Sequence, residues 1–421
     1  MSNKIVCSLE EWDSIIDYYR PNGSSKTWYI NELKKLSRPL MWGDWNLITE
    51  QGEMFDNNIL RGLVTPEYSK NIEYTPIDKI NDKHIYVITI WNINFFKENF
   101  DIGFSCITPK YLDDIKNGIS KIIILQLYEG ISGSKENNDM EIIEKWRIDA
   151  KLPIDSIYYI SGNLLCDEIV KNKQLGFQAR PSHSFEPWNR YEDSNPIEFN
   201  PNDDRNLFLN YNRNPRNQRI YLLSKILENG LFGRGKISLN RFIHSSPLNV
   251  SKESLDYFKS FTPITIDSKY NLDFNLAINI TKEDYETTFL SLVSESLVDE
   301  DSLFVTEKIF KPILVGHPFI IFGNQFTLKY LKNLGYKTFD RWINESYDNE
   351  LKYEDRVQMI IDELKILSQK PIDELKKIRL EMNEVCAYNQ NKFKELYQEK
   401  YGEDNLNKEI VKIFEEVWNS L

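Results

Sequence analysis

Short apolar runs rich in β-branched residues alternate along this chain with segments whose apolar positions recur every three or four residues. HIYVITI (84–90), KIIILQL (121–127) and SIYYI (156–160) are runs of the first kind, and 109–115 and 140–150 between them are of the second. Strands alternating with helices predict a parallel sheet. The alternation resumes after residue 205. NLFLNY (206–211) leads into a helix with Asn214 as N-cap, Pro215 at its first position and Ile220, Leu223 and Leu227 as its buried stripe, stopping before Gly230. An apolar stretch at 263–266 follows. Then FLSLV (289–293), a helical pattern ending at Gly316 and PFIIF (318–322) spell strand, helix, strand of a parallel crossover. Helical patterns at 328–334 and 351–367 come next, and the charged tail from residue 371 is helical in two or three pieces.

A chain of 421 residues exceeds one ordinary core, so two domains are expected. Residues 1–80 mix short helical patterns with turns: Ser8 and Glu11 form a capping box, Trp12, Ile15, Ile16 and Tyr19 have helical spacing, and 26–36 reads as a second helix. This stretch is expected as a helical extension packed on a first domain at 81–190. The Pro-, Asn-, Ser- and aromatic-rich segment around 176–204 places an ordered linker at 191–204. A second domain at 205–370 and C-terminal helices at 371–421 complete the expectation.

Composition narrows the function classes. A net charge of −12 disfavours nonspecific attraction to nucleic acid or anionic membranes as a whole-protein property, while leaving room for a local basic cleft. The four cysteines are scattered without a CxxC, and the four histidines are scattered too, which argues against a disulfide framework or a metal centre. The start lacks the apolar core of a signal peptide and no run of about 18 apolar residues occurs, so a cytoplasmic protein is expected. GxxxxGK[ST], GxGxxG after a strand, GxSxG and HExxH motifs are all missing.

Three constellations carry candidate chemistry. The first is Thr306-Glu307-Lys308. Thr306 caps a helix and Lys308 in its first turn can face a phosphate, while Glu307, which would repel a diphosphate, suits the two hydroxyls of a ribose. The polar pair Ser294 and Glu295 closes the strand before it. Pro312, six residues past the cap, removes a helical hydrogen bond and predicts a kink or an irregular start. The second runs from Asn210 through Asn212 to Arg213, Arg216 and Arg219 across a strand-to-helix junction. An arginine fork matches phosphate oxygens, so one or two of these would neutralise a leaving diphosphate in place of a divalent metal. The bland alternative is a solvated basic turn paired with Asp203 and Asp204. The third is Glu129 after the run at 121–127, a candidate general base; Asp113, Asp114 and Glu98 are weaker candidates. His317 at the start of an apolar strand reads as structural, and His183 and Glu186 in the linker carry no argued role.

FVTEKIFKPILVGHPFIIFG (304–323) resembles the donor-binding motif of α1,3-fucosyltransferases, where a Thr-Glu-Lys triplet opens a helix. LFLNYNRNPRNQRIYLLSKILENGL (207–231) is similar to their Asn- and Arg-bearing strand and helix. The same segments, with LGYKTF (334–339), resemble glycosyltransferase-like proteins of phages and large viruses. The likeness spans about residues 205–345. It implies an α/β protein of GT-B architecture, two Rossmann-like domains facing across a cleft, with a GDP- or UDP-linked sugar held by the second domain and no other cofactor. Carried over by position, Glu307 would bind ribose, and Lys308 with Arg216 or Arg219 the diphosphate. The implied activity is transfer, with inversion, to a glycan, protein or nucleobase hydroxyl. The rivals are a nucleotide-sugar or glycan-binding protein without turnover, and an enzyme acting on hydroxymethylated phage DNA.

Overall fold

The computed structural model describes residues 5–9, 72–76, 80, 82–89, 109–126, 139–182, 195–212, 215–240, 249–264, 266, 280–298, 302–401 and 408–421. The chain divides into two compact α/β units, residues 1–187 with 397–421, and residues 188–396.

In the first unit the elements are β1 (Ile5–Leu9), β2 (Ile72–Pro76), β3 (His84–Thr89), α1 (Pro109–Lys116), β4 (Ser120–Gln126), α2 (Asp139–Asp149), β5 (Ile157–Ser161), α3 (Cys166–Asn172) and β6 (Gln178–Pro181). They form one six-stranded sheet in the order β2-β1-β3-β4-β5-β6, parallel at every pairing. Strand β5 is buried throughout and β4 at all but one residue, which is why both appear in the sequence as continuous apolar runs instead of alternating ones. Tyr111 and Ile115 of α1 and Met140, Ile143 and Trp146 of α2 pack on Ile122, Ile124, Ile157 and Tyr159.

Where a helical extension was expected in residues 1–80, the segments 5–9 and 72–76 are strands of this sheet. β1 lies inside the sheet between β2 and β3, with Ile5 and Cys7 buried, and Ser8 is part of that strand opposite Thr75 and Tyr86. The rest of the supposed capping box lies outside the described residues. IEYTP alternates polar and apolar residues and ends in proline, a pattern that an edge strand such as β2 tolerates and a central one does not.

The second unit contains β7 (Phe208–Tyr211), α4 (Asn217–Glu228), β8 (Gly235–Ser238), α5 (Lys252–Phe261), α6 (Lys282–Glu286), β9 (Leu290–Ser294), α7 (Glu307–Val315), β10 (Phe319–Phe322), α8 (Thr327–Asn333), α9 (Tyr353–Ser368) and most of α10 (Ile372–Tyr401). Its four-stranded parallel sheet runs β10-β9-β7-β8. From β7 the chain crosses to β8 on one side and then returns to place β9 on the other, so strand order reverses between β7 and β9. Such a reversal leaves a crevice at the carboxyl ends of the two strands, where the connecting helices diverge to opposite faces. In the apolar stretch at 263–266, Ile264 makes an isolated antiparallel bridge with Leu239.

The segment expected as a linker, 191–204, falls wholly within the second unit. The second unit already begins at residue 188, and Ile197 is buried in it with its N–H bonded to the Val315 carbonyl at 3.0 Å. At the other end, α11 (Lys408–Asn419) belongs to the first unit, where Lys83 Nζ lies 4.6 Å from the Trp418 ring and Lys121 Nζ donates to Ser420 Oγ at 2.9 Å.

Helix α7 runs unbroken through Pro312 and ends at Gly316, whose φ of 67° and ψ of 49° are left-handed. Arg379 of α10 donates to the Gly316 carbonyl at 3.1 Å and to the Ile197 carbonyl at 2.7 Å, and Gln390 donates to the Leu314 carbonyl at 2.7 Å. The bonds to Gly316 and Leu314 occupy carbonyls that a helix end leaves unsatisfied. A Cβ at position 316 would meet Pro196 Cα at 2.5 Å. Gly316→Ala is therefore expected to lower unfolding free energy by about 2 kcal/mol or more, measured by urea denaturation. Gly316→Asn, which tolerates the left-handed region, should recover only part of the loss; full recovery would exclude the Pro196 contact as a cause.

Candidate anion-binding site

The crevice between β7 and β9 is built from buried amides. Asn210 on β7 donates through Nδ2 to the Leu292 carbonyl at 2.5 Å and to Ser294 Oγ at 3.0 Å, tying the end of β7 to β9 beyond the register pairs Phe208–Leu290 and Leu209–Ser291. Asn212 donates to Asn210 Oδ1, and its own Oδ1 is buried without a hydrogen-bond partner among the described residues. Both asparagines were candidates for ligand contact. Asn210 ties the sheet together, while Asn212 stands at the strand end.

Glu295, another candidate for ligand contact, lies behind the site. It is fully buried, and its two oxygens accept from the Thr306 N–H at 3.2 Å and the Thr306 hydroxyl at 2.5 Å. Thr306 in turn caps α7, its hydroxyl accepting from the Lys308 N–H at 3.4 Å. The approach to that cap is fixed from both ends. Asn324 Oδ1 accepts from the Phe304 N–H at 3.0 Å, and Arg356, buried under the loop after β9, donates to the Val298 carbonyl at 2.6 Å. Burial raises the Glu295 pKa, with Glu307 adding to the rise, against the opposing Lys308 charge and the Thr306 bonds.

Three cations converge on the loop after β9. Arg216 Nη1 donates to the Ser296 carbonyl at 3.0 Å, joined by Gln218 Nε2 at 2.7 Å. Arg219, almost fully buried, donates to the Ser294 and Glu295 carbonyls at 3.3 and 3.4 Å. Lys308 Nζ donates to Ser296 Oγ at 3.2 Å, Thr306 Oγ1 at 3.0 Å and Glu307 Oε1 at 2.8 Å. Burial and the neighbouring Arg216 charge bring the Arg219 guanidinium down to about 10, against the pull of Glu295 and Glu307. Burial raises the Glu307 carboxyl, but the Lys308 charge and hydrogen bond outweigh it, and its pKa ends below the usual value.

Helix α4 starts later than its sequence signals predict. Arg216 is the N-cap, in extended conformation and without a side-chain cap bond; the expected cap, Asn214, lies outside the described residues. The Arg216 side chain does not cap the N–H groups of this first turn, which lie beside two guanidiniums. Arg216 has no carboxylate partner among the described residues, which disposes of its pairing with Asp203; Asp203 pairs with Arg205 at 3.0 Å. Two helix N-termini and an unneutralised arginine beside a second one suit a multiply charged anion.

The other candidates fall elsewhere. Glu129, Arg213, Glu98, His183 and Glu186 lie outside the described residues. Asp114 sits 3.8 Å from His84 at the amino end of β3, away from the carboxyl edge, and Asp113 on the same helix is exposed. His317 is structural: Ser291 Oγ lies 2.9 Å from Nδ1 and the Thr288 carbonyl 2.9 Å from Nε2, and burial with the Arg379 charge holds its pKa well down. Ser296 and Gln218 were not anticipated; their signal was position alone, one just past a strand end and one in the first turn of a helix. Among the described residues no group of three or more His, Cys, Asp or Glu could hold a metal ion, and no helix is long and apolar enough to cross a membrane.

The two carboxylates should affect stability with opposite signs. Glu295, raised by burial, contributes stability that is present below its unfolded value of 4.5 and is lost as pH rises through its folded pKa. Glu307, lowered, contributes stability present above 4.5 and lost as pH falls through its folded pKa. In urea denaturation across pH, Glu295→Gln should gain on the wild type as pH rises, and Glu307→Gln should lose on it over the same change. Parallel curves for both variants would contradict the electrostatic picture.

No protein-family model matches the chain, and no curated protein matches it in sequence. Among solved structures it is similar to T4 phage β-glucosyltransferase in complex with UDP-glucose, at 14% identity over 79% of this chain and 90% of that one, with a TM-score of 0.32. A second structure of the T4 phage enzyme matches at 13% identity over 95% and 98%, TM-score 0.34. A Gap123 complex from Streptococcus agalactiae matches at 9% identity over 75% and 54%, TM-score 0.25.

Proposed function

We propose that this protein is a glycosyltransferase whose second unit binds a nucleotide-diphosphate sugar at the β7–β9 crevice. The observation that carries the reading is the meeting of Arg216, Arg219, Lys308 and the N-termini of α4 and α7 around Ser296, at the strand reversal of a parallel sheet. A diphosphate fits this spacing of charge better than a single carboxylate does, because three cations face it from two helices. The resemblance of residues 304–323 to a nucleotide-sugar binding motif supplies the class of ligand.

In the transfer itself an acceptor hydroxyl oxygen forms a bond to the anomeric carbon as the bond from that carbon to the diphosphate oxygen breaks. A general base takes the hydroxyl proton, and the electron pair leaves on the nucleoside diphosphate. Glu129 is the proposed base. Arg216 and Lys308 face the charge that develops on the leaving oxygen, the kind of stabilisation that grows along the reaction coordinate. Arg219, fully sunk beneath them, holds the carbonyls after β9 and raises the local positive potential. Direct displacement inverts the anomeric centre. The acceptor is proposed as a glycan, protein or nucleobase hydroxyl.

A thermal-shift panel of GDP- and UDP-sugars tests the donor. A true ligand at one hundred times its Kd stabilises the fold by about 2.7 kcal/mol. Arg216→Ala and Lys308→Ala should each weaken nucleoside-diphosphate binding about tenfold or more, the worth of a lost charge-assisted hydrogen bond, with little change in ligand-free melting temperature for Arg216→Ala. Unchanged affinity in both variants would sink the site assignment. Donor binding with neither transfer nor donor hydrolysis would point to a binding protein instead.

A further inference from the structure

Lys308 has no donor to spare. An ammonium carries three N–H groups, and here Ser296 Oγ, Thr306 Oγ1 and Glu307 Oε1 take all three. Two of the acceptors are neutral hydroxyls; the third is an anion on the adjacent residue. Helical neighbours at i and i+1 do not face each other, so the 2.8 Å pair is not a by-product of helical geometry. Both side chains have to turn to the same point at the mouth of α7. They are 13% and 26% exposed, shielded enough for the pair to be strong and open enough for it to exchange. The Glu307 carboxylate therefore stands where a bound anion would gain from both the helix dipole and the lysine. Arg216 is in the opposite condition, bonded to a carbonyl and without a carboxylate partner among the described residues.

We infer that Glu307 is an internal stand-in for a phosphate of the ligand: it holds Lys308 while the site is empty and yields it when a diphosphate binds. The inference rests on the anion-site reading of the proposed function. A first phosphate docks on Arg216 and the start of α4 and leaves the Glu307–Lys308 pair closed. A second phosphate competes with Glu307 for Lys308, and like-charge repulsion drives the carboxylate away from the ammonium it held. Glu307 is thus a specificity-determining residue. It makes Lys308 available to ligands with two phosphates and withholds it from those with one.

Calorimetric titration of the full chain with inorganic pyrophosphate and with orthophosphate tests this without any ribose to confuse the two roles of the carboxylate. Glu307→Gln should bind pyrophosphate about three- to tenfold more tightly than the wild type, because a competing ion pair has been removed. Its orthophosphate affinity should stay within about twofold. In a Lys308→Ala background the gain from Glu307→Gln should shrink to about twofold or less, whereas a merely structural role for Glu307 would leave the gain independent of Lys308. Glu307→Ala provides the same comparison if the glutamine variant is poorly folded. Pyrophosphate affinity unchanged or weakened in both variants, with the wild type binding normally, overturns the inference alone. A wild type that binds no pyrophosphate overturns the anion site and the inference with it.

Discussion

The pairing of buried Glu295 with Thr306 organises the second unit's crevice. A carboxylate removed from water is costly unless its oxygens are hydrogen-bonded, and here one residue answers both, through its N–H and its hydroxyl. That residue is also the cap of α7. The start of the helix is therefore fixed to the end of β9 by the strongest polar contact available to either, and Lys308, two residues on, has its position set by it. Gly323 is part of the arrangement: an added Cβ would lie 3.3 Å from Glu295 Cγ and 3.0 Å from the Thr327 hydroxyl.

From that fixed point the charges arrange themselves in depth. Arg219 lies lowest, spanning successive carbonyls after β9; Arg216 and Lys308 lie nearer solvent on either side of Ser296. Burial depresses Arg219 only to about 10, so it stays charged at neutral pH and lends its field to the groups above it. The cations are held by backbone carbonyls, which orient them without cancelling their charge, and by one carboxylate, Glu307. A site made of movable side chains alone would have to be ordered afresh at each binding event, at an entropic cost.

Residues whose environment is set by their near neighbours were the readable ones. Strands β3, β4, β5, β9 and β10 stand out in the sequence because burial on both faces demands uninterrupted apolar runs. α7 shows its cap, its buried face and its glycine stop within a dozen residues, and Pro312 did not interrupt it. β8, four residues reading GKIS, and β2, ending in proline, carry too little pattern to be seen. The Asn214-Pro215 signal for the start of α4 gave way to Arg216, whose side chain is engaged with Ser296 eighty residues later.

Local chemistry thus specified which residues carry charge, the fully buried strands, and that Thr306 opens a helix. Which charges remain available was settled by contacts between residues distant in sequence. Glu295 and Glu307 are alike as letters, yet one is sealed beneath a threonine and the other lies at the surface of the site holding a lysine. Strand order decided that difference. Bringing β9 beside β7, against the order of the chain, places the Ser294–Ser296 carbonyls under the arginines of α4, and hydrogen bonds, being short-ranged and directional, form only once that neighbourhood exists.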